Sequence, residues 1–239
     1  MLDSTKYWPF GLSSGYFPRF IAVTLLIFSA LVFLDVPVTM LAKLSPQWIK
    51  DPFIFITRIG DAEWILIPSL FIAVMGAILL RTGAKFFSTP TLKRWSVSAG
   101  FIFFVTAGPG LLANILKRII GRARPLHLEE LGQFHFQPVI NDWTFQSIPS
   151  GHTSTMFAFA TGIMFLFPKL RWPAFILAAL VGLSRIIVGV HYPTDIFAGL
   201  LFGIIAAFAV RNICLAKGWI FIKSTDGNIQ LKPNYMAAL

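Results

Sequence analysis

The sequence predicts an all-α, polytopic membrane protein with six transmembrane helices, and three observations carry that prediction. Hydrophobic residues make up 56% of the 239 residues and charged residues only 13%, which is about half the charged share of an ordinary soluble domain. The apolar residues are gathered into six runs that approach the roughly 20 residues needed to cross a bilayer as a helix. The runs do not alternate apolar with polar residues, so helices are favoured over a membrane β-barrel.

The six runs follow one another along a single predicted membrane domain, residues 1–239. Trp64, Trp95 and Trp172 open three of them, as aromatic residues at a membrane interface often do. Residues 1–19 are predicted to be a cytoplasmic or interfacial segment, and residues 212–239 a cytoplasmic tail. The runs are 20–42, 64–80, 95–116, 153–167, 172–190 and 196–210.

Basic residues predict the orientation, because Lys and Arg concentrate in cytoplasmic loops. If the helices alternate in direction, most basic loop residues share one side, which we therefore place in the cytoplasm with both termini. The loop between the third and fourth runs breaks this pattern with Arg118, Arg122 and Arg124 on the opposite side, and a functional need for cations would explain it. The residues that set the orientation are Arg81, Lys85, Lys93, Arg94, Lys169, Arg171, Arg211 and Lys217.

The net charge of +10 would suggest nucleic-acid binding in a soluble protein. Here the basic residues flank the apolar runs, so contact with the bilayer and its anionic headgroups explains them better, and no nucleic-acid partner is predicted. The one cysteine, Cys214, excludes an intramolecular disulfide and a cysteine-rich metal site.

Three polar clusters are predicted to meet at the non-cytoplasmic face, because each adjoins a helix end on that side. The first follows the third run, the second precedes the fourth, and the third joins the fifth run to the sixth. Their members are Lys117 and Arg124; Ser150, Gly151 and His152; and Arg185, His191 and Asp195.

Each cluster alone has two interpretations. Ser150 to His152 opens a helix whose free amides would suit a phosphate, but an ordinary cap beside an unrelated histidine is equally consistent. Arg185 lies in an apolar segment, where it either serves a function or extends its charge to the interface. Lys117 and Arg124 alone would suit mere headgroup contact.

His191 and Asp195 lie four residues apart, but Pro193 disfavours helix at the residue before it. The sixth helix is therefore predicted to begin at Pro193, with Asp195 in its first turn. From there Asp195 could orient His191 as a carboxylate does in a hydrolase triad. A surface histidine beside a helix-start aspartate is the alternative.

Taken together, the clusters resemble the three-part signature of the type 2 phosphatidic acid phosphatase (PAP2) superfamily. Every signature position is filled, and the resemblance covers residues 95–212. Six apolar runs resemble the integral membrane branch rather than the soluble vanadium haloperoxidases. The matching segments are Lys117-(six residues)-Arg124-Pro125, Pro149-Ser150-Gly151-His152 and Ser184-Arg185-(five residues)-His191-(three residues)-Asp195.

The resemblance implies a phosphatase that works through a phosphohistidine on His191. Asp195 would orient that histidine, and His152 would protonate the leaving oxygen. The phosphate cradle would consist of Lys117, Arg124, Arg185, Ser150 and the amide of Gly151.

The residue chemistry favours a reaction without a metal or other cofactor. Phosphoryl transfer depends chiefly on positioning and charge stabilisation, which three cations can supply. Glu129 and Glu130 are adjacent, but no carboxylate in the clusters complements them to hold a metal pair.

The resemblance also implies a lipid phosphate or diphosphate as substrate. Its known classes include phosphatidic acid, phosphatidylglycerol phosphate, undecaprenyl diphosphate and the 1-phosphate of lipid A. The compact six-helix size favours a bacterial protein, and the inner membrane is its expected location. No residue ranks the four classes, and an envelope lipid, either lipid A or undecaprenyl diphosphate, is the expected substrate. The loop 126–143 is predicted to cover the site. Asp35 is either a plain helix-boundary residue or a support for the site, and the boundary interpretation is favoured.

Two other classes of protein compete with the enzyme. A lipid transporter or flippase would use the charges for translocation, but paired broken helices at the bilayer midplane are its usual sign, and Gly108-Pro109-Gly110 has no counterpart here. A membrane scaffold would not require this set of polar residues at one face.

Overall fold

The computed structural model describes residues 2–83 and 88–233, and it is mostly helical. Each of the six predicted runs coincides with a helix, α1, α3, α4, α6, α7 or α8, although the fourth and fifth runs extend one and three residues past the ends of α6 and α7. Lys85, which the orientation prediction used, lies outside the described residues. The helices are α1 Phe17–Leu44, α2 Gln47–Ile59, α3 Glu63–Thr82, α4 Thr89–Ile120, α5 Leu128–Leu131, α6 Gly151–Leu166, α7 Arg171–Ile187 and α8 Pro193–Ala216, and the strands are β1 Phe221–Lys223 and β2 Ile229–Leu231.

Five stretches of the described chain are long and apolar enough to cross a membrane, one fewer than predicted. Helix α6 falls short because it has only 16 residues, whereas a span takes about 20. Helices α2 and α3 count together as one stretch. The five are Phe17–Leu44, Gln47–Thr82, Thr89–Ile120, Pro168–Ile187 and Pro193–Ala216.

Helix α2 was not predicted. Its apolar residues are interrupted by Lys50, Asp51, Pro52 and Arg58, so no continuous run marks it. Their spacing fits a helix with one apolar face, and α2 packs against α7. This placement brings the turn after α2 to the polar end of the bundle.

Helix α6 forms the centre of the bundle, packed between α4, α7 and α8. Twelve of its 16 residues are buried, whereas α1 exposes large apolar side chains such as Leu26 and Phe33. Close packing depends on glycine: a Cβ on Gly203 would lie 2.3 Å from the carbonyl oxygen of Ser154. The helix that carries His152 is therefore held by protein on nearly every side.

The end of the bundle opposite the predicted site is closed by both terminal segments. The antiparallel hairpin of β1 and β2 buries Phe221 and Leu231 against the helix core. The guanidinium of Arg211, on α8, donates to the carbonyls of Ser4, Lys6 and Tyr7 at 2.6–2.9 Å. The segments predicted to be an N-terminal interfacial segment and a C-terminal tail thus pack against the helices, the latter as far as Leu231.

Candidate active site

The three polar clusters meet at one end of the bundle, where α4 and α7 end and α6 and α8 begin. The backbone N–H of Ser150 donates to the carbonyl of Asp195 at 3.1 Å, which joins the starts of α6 and α8. Lys117 reaches the same place, since its Nζ lies 3.9 Å from where a Cβ on Gly151 would be. The charges of Lys117 and Arg185 are close enough to His152 to interact with it electrostatically.

His191 is held by Asp195 as the helix prediction required. Helix α8 begins at Pro193 with Asp195 in its first turn, and the Nδ1 atom of His191 lies 3.4 Å from Oδ2 of Asp195. The same oxygen accepts hydrogen bonds from the backbone N–H of Tyr192 at 2.9 Å and the hydroxyl of Ser147 at 2.5 Å. These donors fix the position of the carboxylate. When the proton of the neutral imidazole is on Nδ1 and points toward this carboxylate, the lone pair of Nε2 is free.

Burial keeps His191 in its neutral form. The side chain is only 2% exposed, and this loss of solvation lowers its pKa to about 3. The positive charges of Arg124 and Arg185 lower the pKa further, while Asp195 opposes the shift. At neutral pH the imidazole is therefore uncharged and nucleophilic, between cations that would attract an anion.

Arg124 and Arg185 retain unused hydrogen-bond donors. Arg124 lies over the ring of Trp143 at 4.9 Å and donates one long bond, 3.4 Å, to the carbonyl of Gln146. Arg185 donates to the hydroxyl of Thr57, on α2, at 2.6 Å. The Nε atoms of both arginines are buried without a partner, and neither guanidinium pairs directly with a carboxylate among residues 2–83 and 88–233. Such guanidinium groups suit an anionic ligand.

His152 has a partner that the sequence did not reveal. Its Nε2 atom lies 3.1 Å from Oδ1 of Asp61, in the turn between α2 and α3. Gly60 makes room for the ring, because a Cβ there would lie 2.7 Å from Cδ2 of His152. The Gly60–Asp61 pair was a recognisable turn signal, but nothing in the sequence linked it to a histidine 91 residues away.

The expectation that Asp35 is a plain boundary residue is wrong. Asp35 lies inside α1, is fully buried, and accepts a hydrogen bond from Nη2 of Arg122 at 2.8 Å. Nη1 of the same arginine donates to Oδ1 of Asp195 at 2.6 Å. Because α1 packs against α8, Asp35 also accepts bonds from the backbone and hydroxyl of Thr194. In the sequence, Arg122 stands out only as an exception to the distribution of basic residues.

Ser150 differs in detail from the expected helix cap. It occupies the N-cap position of α6 but makes no side-chain bond to the helix backbone. Its buried hydroxyl instead accepts a hydrogen bond from the hydroxyl of Thr153 at 3.0 Å. Gly151 begins the helix as expected.

The loop 126–143 is tied together by its own polar residues and their neighbours. His127 stacks on Phe145 with ring centroids 5.0 Å apart and contacts the Thr144 hydroxyl at 3.0 Å. Asp142 accepts bonds from the backbone and hydroxyl of Thr144. Within the described chain, no group of three or more His, Cys, Asp or Glu side chains is arranged to hold a metal ion.

The comparison with protein families decides the affiliation. The PAP2 superfamily model matches residues 98–219, which include all three clusters. The chain belongs to the PAP2 superfamily. The predicted family and the predicted class, a membrane lipid phosphatase, are both confirmed. Asp35 and Asp61 lie outside the matched residues.

Individual PAP2 relatives resemble most of the chain. It is 36% identical over 213 residues to the lipid A 1-phosphatase of Rhizobium johnstonii, across 87% of this chain and 84% of that protein. The lipid A 1-phosphatase of Rhizobium etli is also 36% identical, across 87% of this chain and 88% of that protein. The crystal structure of a transmembrane PAP2 type phosphatidylglycerolphosphate phosphatase from Bacillus subtilis shares the fold. It has a TM-score of 0.56 and 24% identity, covering 83% of this chain and 96% of that one.

Proposed function

We propose that this PAP2 enzyme removes the 1-phosphate of lipid A, without a metal, through a phosphohistidine at His191. The observation that carries the mechanism is a neutral, buried imidazole held by Asp195 between two guanidinium groups that have unused donors. This arrangement provides a nucleophile and charge stabilisation for one phosphate group.

In the first step the Nε2 lone pair of His191 attacks phosphorus, and the bond from phosphorus to the lipid oxygen breaks. His152 gives its proton to that oxygen. The negative charge of the bound phosphate and the carboxylate of Asp61 at 3.1 Å favour the protonated imidazole, against the nearby cations Arg185 and Lys117. Asp195 accepts the Nδ1 hydrogen bond and offsets the positive charge that develops on His191. The products are the dephosphorylated lipid and the phosphohistidine.

In the second step water attacks the phosphohistidine. His152, now neutral, takes a proton from the water as the phosphorus–nitrogen bond breaks, which restores both histidines and releases inorganic phosphate. Lys117, Arg124 and Arg185 bind the non-bridging oxygens throughout, together with the amide of Gly151. Ser150 supports this cradle through its buried hydroxyl network.

The bundle's architecture supports a site that lipid substrates enter from the bilayer. All the proposed site residues lie at one end of the helices, level with the headgroups if the apolar helices cross the membrane. In this proposal α6 is the sixth span, surrounded by the other helices. The distribution of Lys and Arg among the loops then favours a site on the extracytoplasmic side of a bacterial inner membrane.

The choice of lipid A rests on the two rhizobial relatives, whose similarity extends over more than four fifths of each chain. The test is phosphate release by the purified, detergent-solubilised protein from four lipids: lipid A 1-phosphate, undecaprenyl diphosphate, phosphatidylglycerol phosphate and phosphatidic acid. We expect the highest kcat/KM with lipid A 1-phosphate and the same rate with excess EDTA.

A higher kcat/KM with another lipid in this panel would overturn the substrate assignment but leave the mechanism intact. Loss of activity in EDTA with recovery on adding magnesium would overturn the metal-free mechanism. A transporter, the competing hypothesis, would release no phosphate from any of the four lipids.

A further inference from the structure

A buried chain of three charges connects helix α1 to the proposed nucleophile. It runs from Asp35 through Arg122 to Asp195, and these side chains are 0%, 4% and 0% exposed. We propose that Asp35 is a positioning residue for His191, acting through Arg122 and Asp195. This inference rests on the proposed function, because His191 must be the nucleophile for its position to matter.

The geometry divides the hydrogen bonds of one guanidinium between two carboxylates. Nη1 of Arg122 donates to Oδ1 of Asp195 at 2.6 Å, while Nη2 donates to Oδ2 of Asp35 at 2.8 Å. A planar group held at both ends cannot turn without losing a bond. Arg122 therefore occupies only one oxygen of Asp195, and Oδ2 remains directed toward His191.

Two further residues, Thr194 and Tyr192, hold this arrangement in place. Thr194 donates its backbone N–H to Asp35 at 3.0 Å and its hydroxyl at 2.6 Å. This residue immediately precedes Asp195 in the first turn of α8, so Asp35 also anchors the backbone that carries the orienting carboxylate. The ring of Tyr192 covers Arg122 with a 4.3 Å separation between the ring centroid and the guanidinium carbon.

The charge balance gives Asp35 an effect beyond geometry. One arginine between two carboxylates leaves the chain with a net charge of −1, which can offset the positive charge that develops on His191 during attack. Without the charge of Asp35, Arg122 would neutralise Asp195 alone. The positive charge that develops on His191 would then have no net counter-charge in this buried site, where electrostatic interactions are strong.

Asp35→Asn tests the proposal because asparagine keeps the size of the side chain but removes its charge. We expect kcat to fall about tenfold, the change that corresponds to about 1.4 kcal/mol of lost transition-state stabilisation. KM should stay within twofold, because Asp35 does not contact the proposed phosphate cradle. Rates are measured per folded molecule, from the monodisperse peak in size-exclusion chromatography.

Glu129→Gln is the matched control. The exposed pair of Lys43 and Glu129, with 2.7 Å between charged atoms, also joins α1 to the segment after α4. Removing this pair should leave kcat within twofold of the wild-type value, since exposed ion pairs contribute little. A comparable loss of kcat in both variants would show that any weakened contact to α1 suffices, and would overturn the proposal.

Arg122→Met, alone and combined with Asp35→Asn, separates positioning from a structural role. The single Arg122 variant leaves two buried carboxylates without a cation, and the second substitution removes one of those charges. We therefore expect Asp35→Asn to lower kcat when Arg122 is present and to raise it when Arg122 is absent. A purely structural Asp35 would reduce the folded yield in both backgrounds without changing kcat per folded molecule.

If Arg122→Met does not fold, Arg122→Lys replaces it, because lysine keeps the charge but lacks the fork that joins both carboxylates. Asp35→Asn should then cost less kcat than it does beside arginine, and an equal cost would overturn the coupling. An unchanged kcat for Asp35→Asn in an active enzyme refutes the positioning role alone. A wild-type protein that releases no phosphate from any of the four lipids refutes the proposed function instead.

Discussion

Arg122 and Arg211 are both buried, at opposite ends of the same bundle, yet their partners differ in kind. Arg122 pairs with the carboxylates of Asp35 and Asp195. Arg211 donates to neutral carbonyl oxygens of the N-terminal segment and lies against the rings of Phe165 and Phe208. Burial of an arginine therefore does not by itself indicate a functional site.

The role of a buried arginine depends on what its partners contact in turn. One partner of Arg122, Asp195, also contacts His191, so the charge of Arg122 can influence the proposed nucleophile. The partners of Arg211 end at the backbone of residues 4–7, so its contribution is to hold that segment on the helices. We therefore expect substitution of Arg122 to lower turnover and substitution of Arg211 to lower the free energy of unfolding.

The largest effect is expected from His191→Ala. Without the nucleophile, turnover should fall by about a thousandfold or more. The protein should still fold, because alanine leaves Asp195 its bonds from Arg122, Ser147 and Tyr192. Phosphate release and the thermal unfolding midpoint in detergent check the two halves of this prediction. Retained turnover would remove His191 from the mechanism.

Arg211→Met provides the direct contrast with Arg122→Met. It leaves the part-buried carbonyls of Ser4 and Lys6 without their donor, while that of Tyr7 keeps the side-chain amide of Asn212 at 2.8 Å. Buried unpaired groups cost about 1–3 kcal/mol each. We expect a loss of about 3 kcal/mol in unfolding free energy, with kcat per folded molecule unchanged. Thermal unfolding and phosphate release are measured on both variants. A fall in kcat for Arg211→Met larger than that for Arg122→Met would contradict the division between the two ends.

Asp61→Asn tests whether the carboxylate beside His152 contributes to turnover. Loss of the carboxylate 3.1 Å from His152 should lower kcat about tenfold, because the imidazole would be protonated less readily. Asp51→Asn is the matched control, since Asp51 is exposed on α2 and its carboxylate accepts a hydrogen bond from Gln47, one turn earlier in the same helix, at 2.8 Å. Equal rates for the two variants would exclude a role for Asp61.

A further prediction concerns the stability of the fold against pH rather than turnover. In the unfolded chain His191 should titrate near 6.5, whereas in the folded protein burial lowers its pKa to about 3. Between these values the unfolded state binds more protons, so stability rises with pH, by up to about 1.4 kcal/mol per pH unit. The contribution of His191 is complete above pH 6.5 and is lost as the pH falls toward 3.

His191→Gln removes that titration and isolates its contribution. The unfolding midpoints of the wild type and the variant should converge as the pH falls from 7 to 4. A constant difference between them across this range would show that His191 does not remain neutral in the folded protein.

Much of the site could be predicted because its clusters lie at helix ends that must share a face. Pro193 determined where α8 begins, and this start places Asp195 beside His191. Because successive helices alternate in direction, Arg185, Lys117 and His152 were also expected at this end of the bundle.

The missed residues have a common physical cause: each acts through a contact between distant segments that has no local pattern. Asp35 looked like a polar residue at the boundary of an apolar run, and its partner is 87 residues away. Asp61 is positioned by α2, and polar residues and a proline interrupt the apolar residues of α2, so no long apolar run marks that helix. The sixth span remains a prediction because α6 is short. A helix surrounded by other helices can be this short, since its ends contact protein rather than lipid.

The central claim is that His191 receives the phosphoryl group, and trapping that intermediate tests it most directly. The enzyme is incubated briefly with lipid A labelled with ³²P at the 1-phosphate, quenched in alkali to preserve phosphohistidine, and digested for mapping. We predict acid-labile label on the peptide that contains His191, and none in the His191→Gln variant. Label on a different residue, or an active enzyme that retains label when His191 is replaced, would contradict the account.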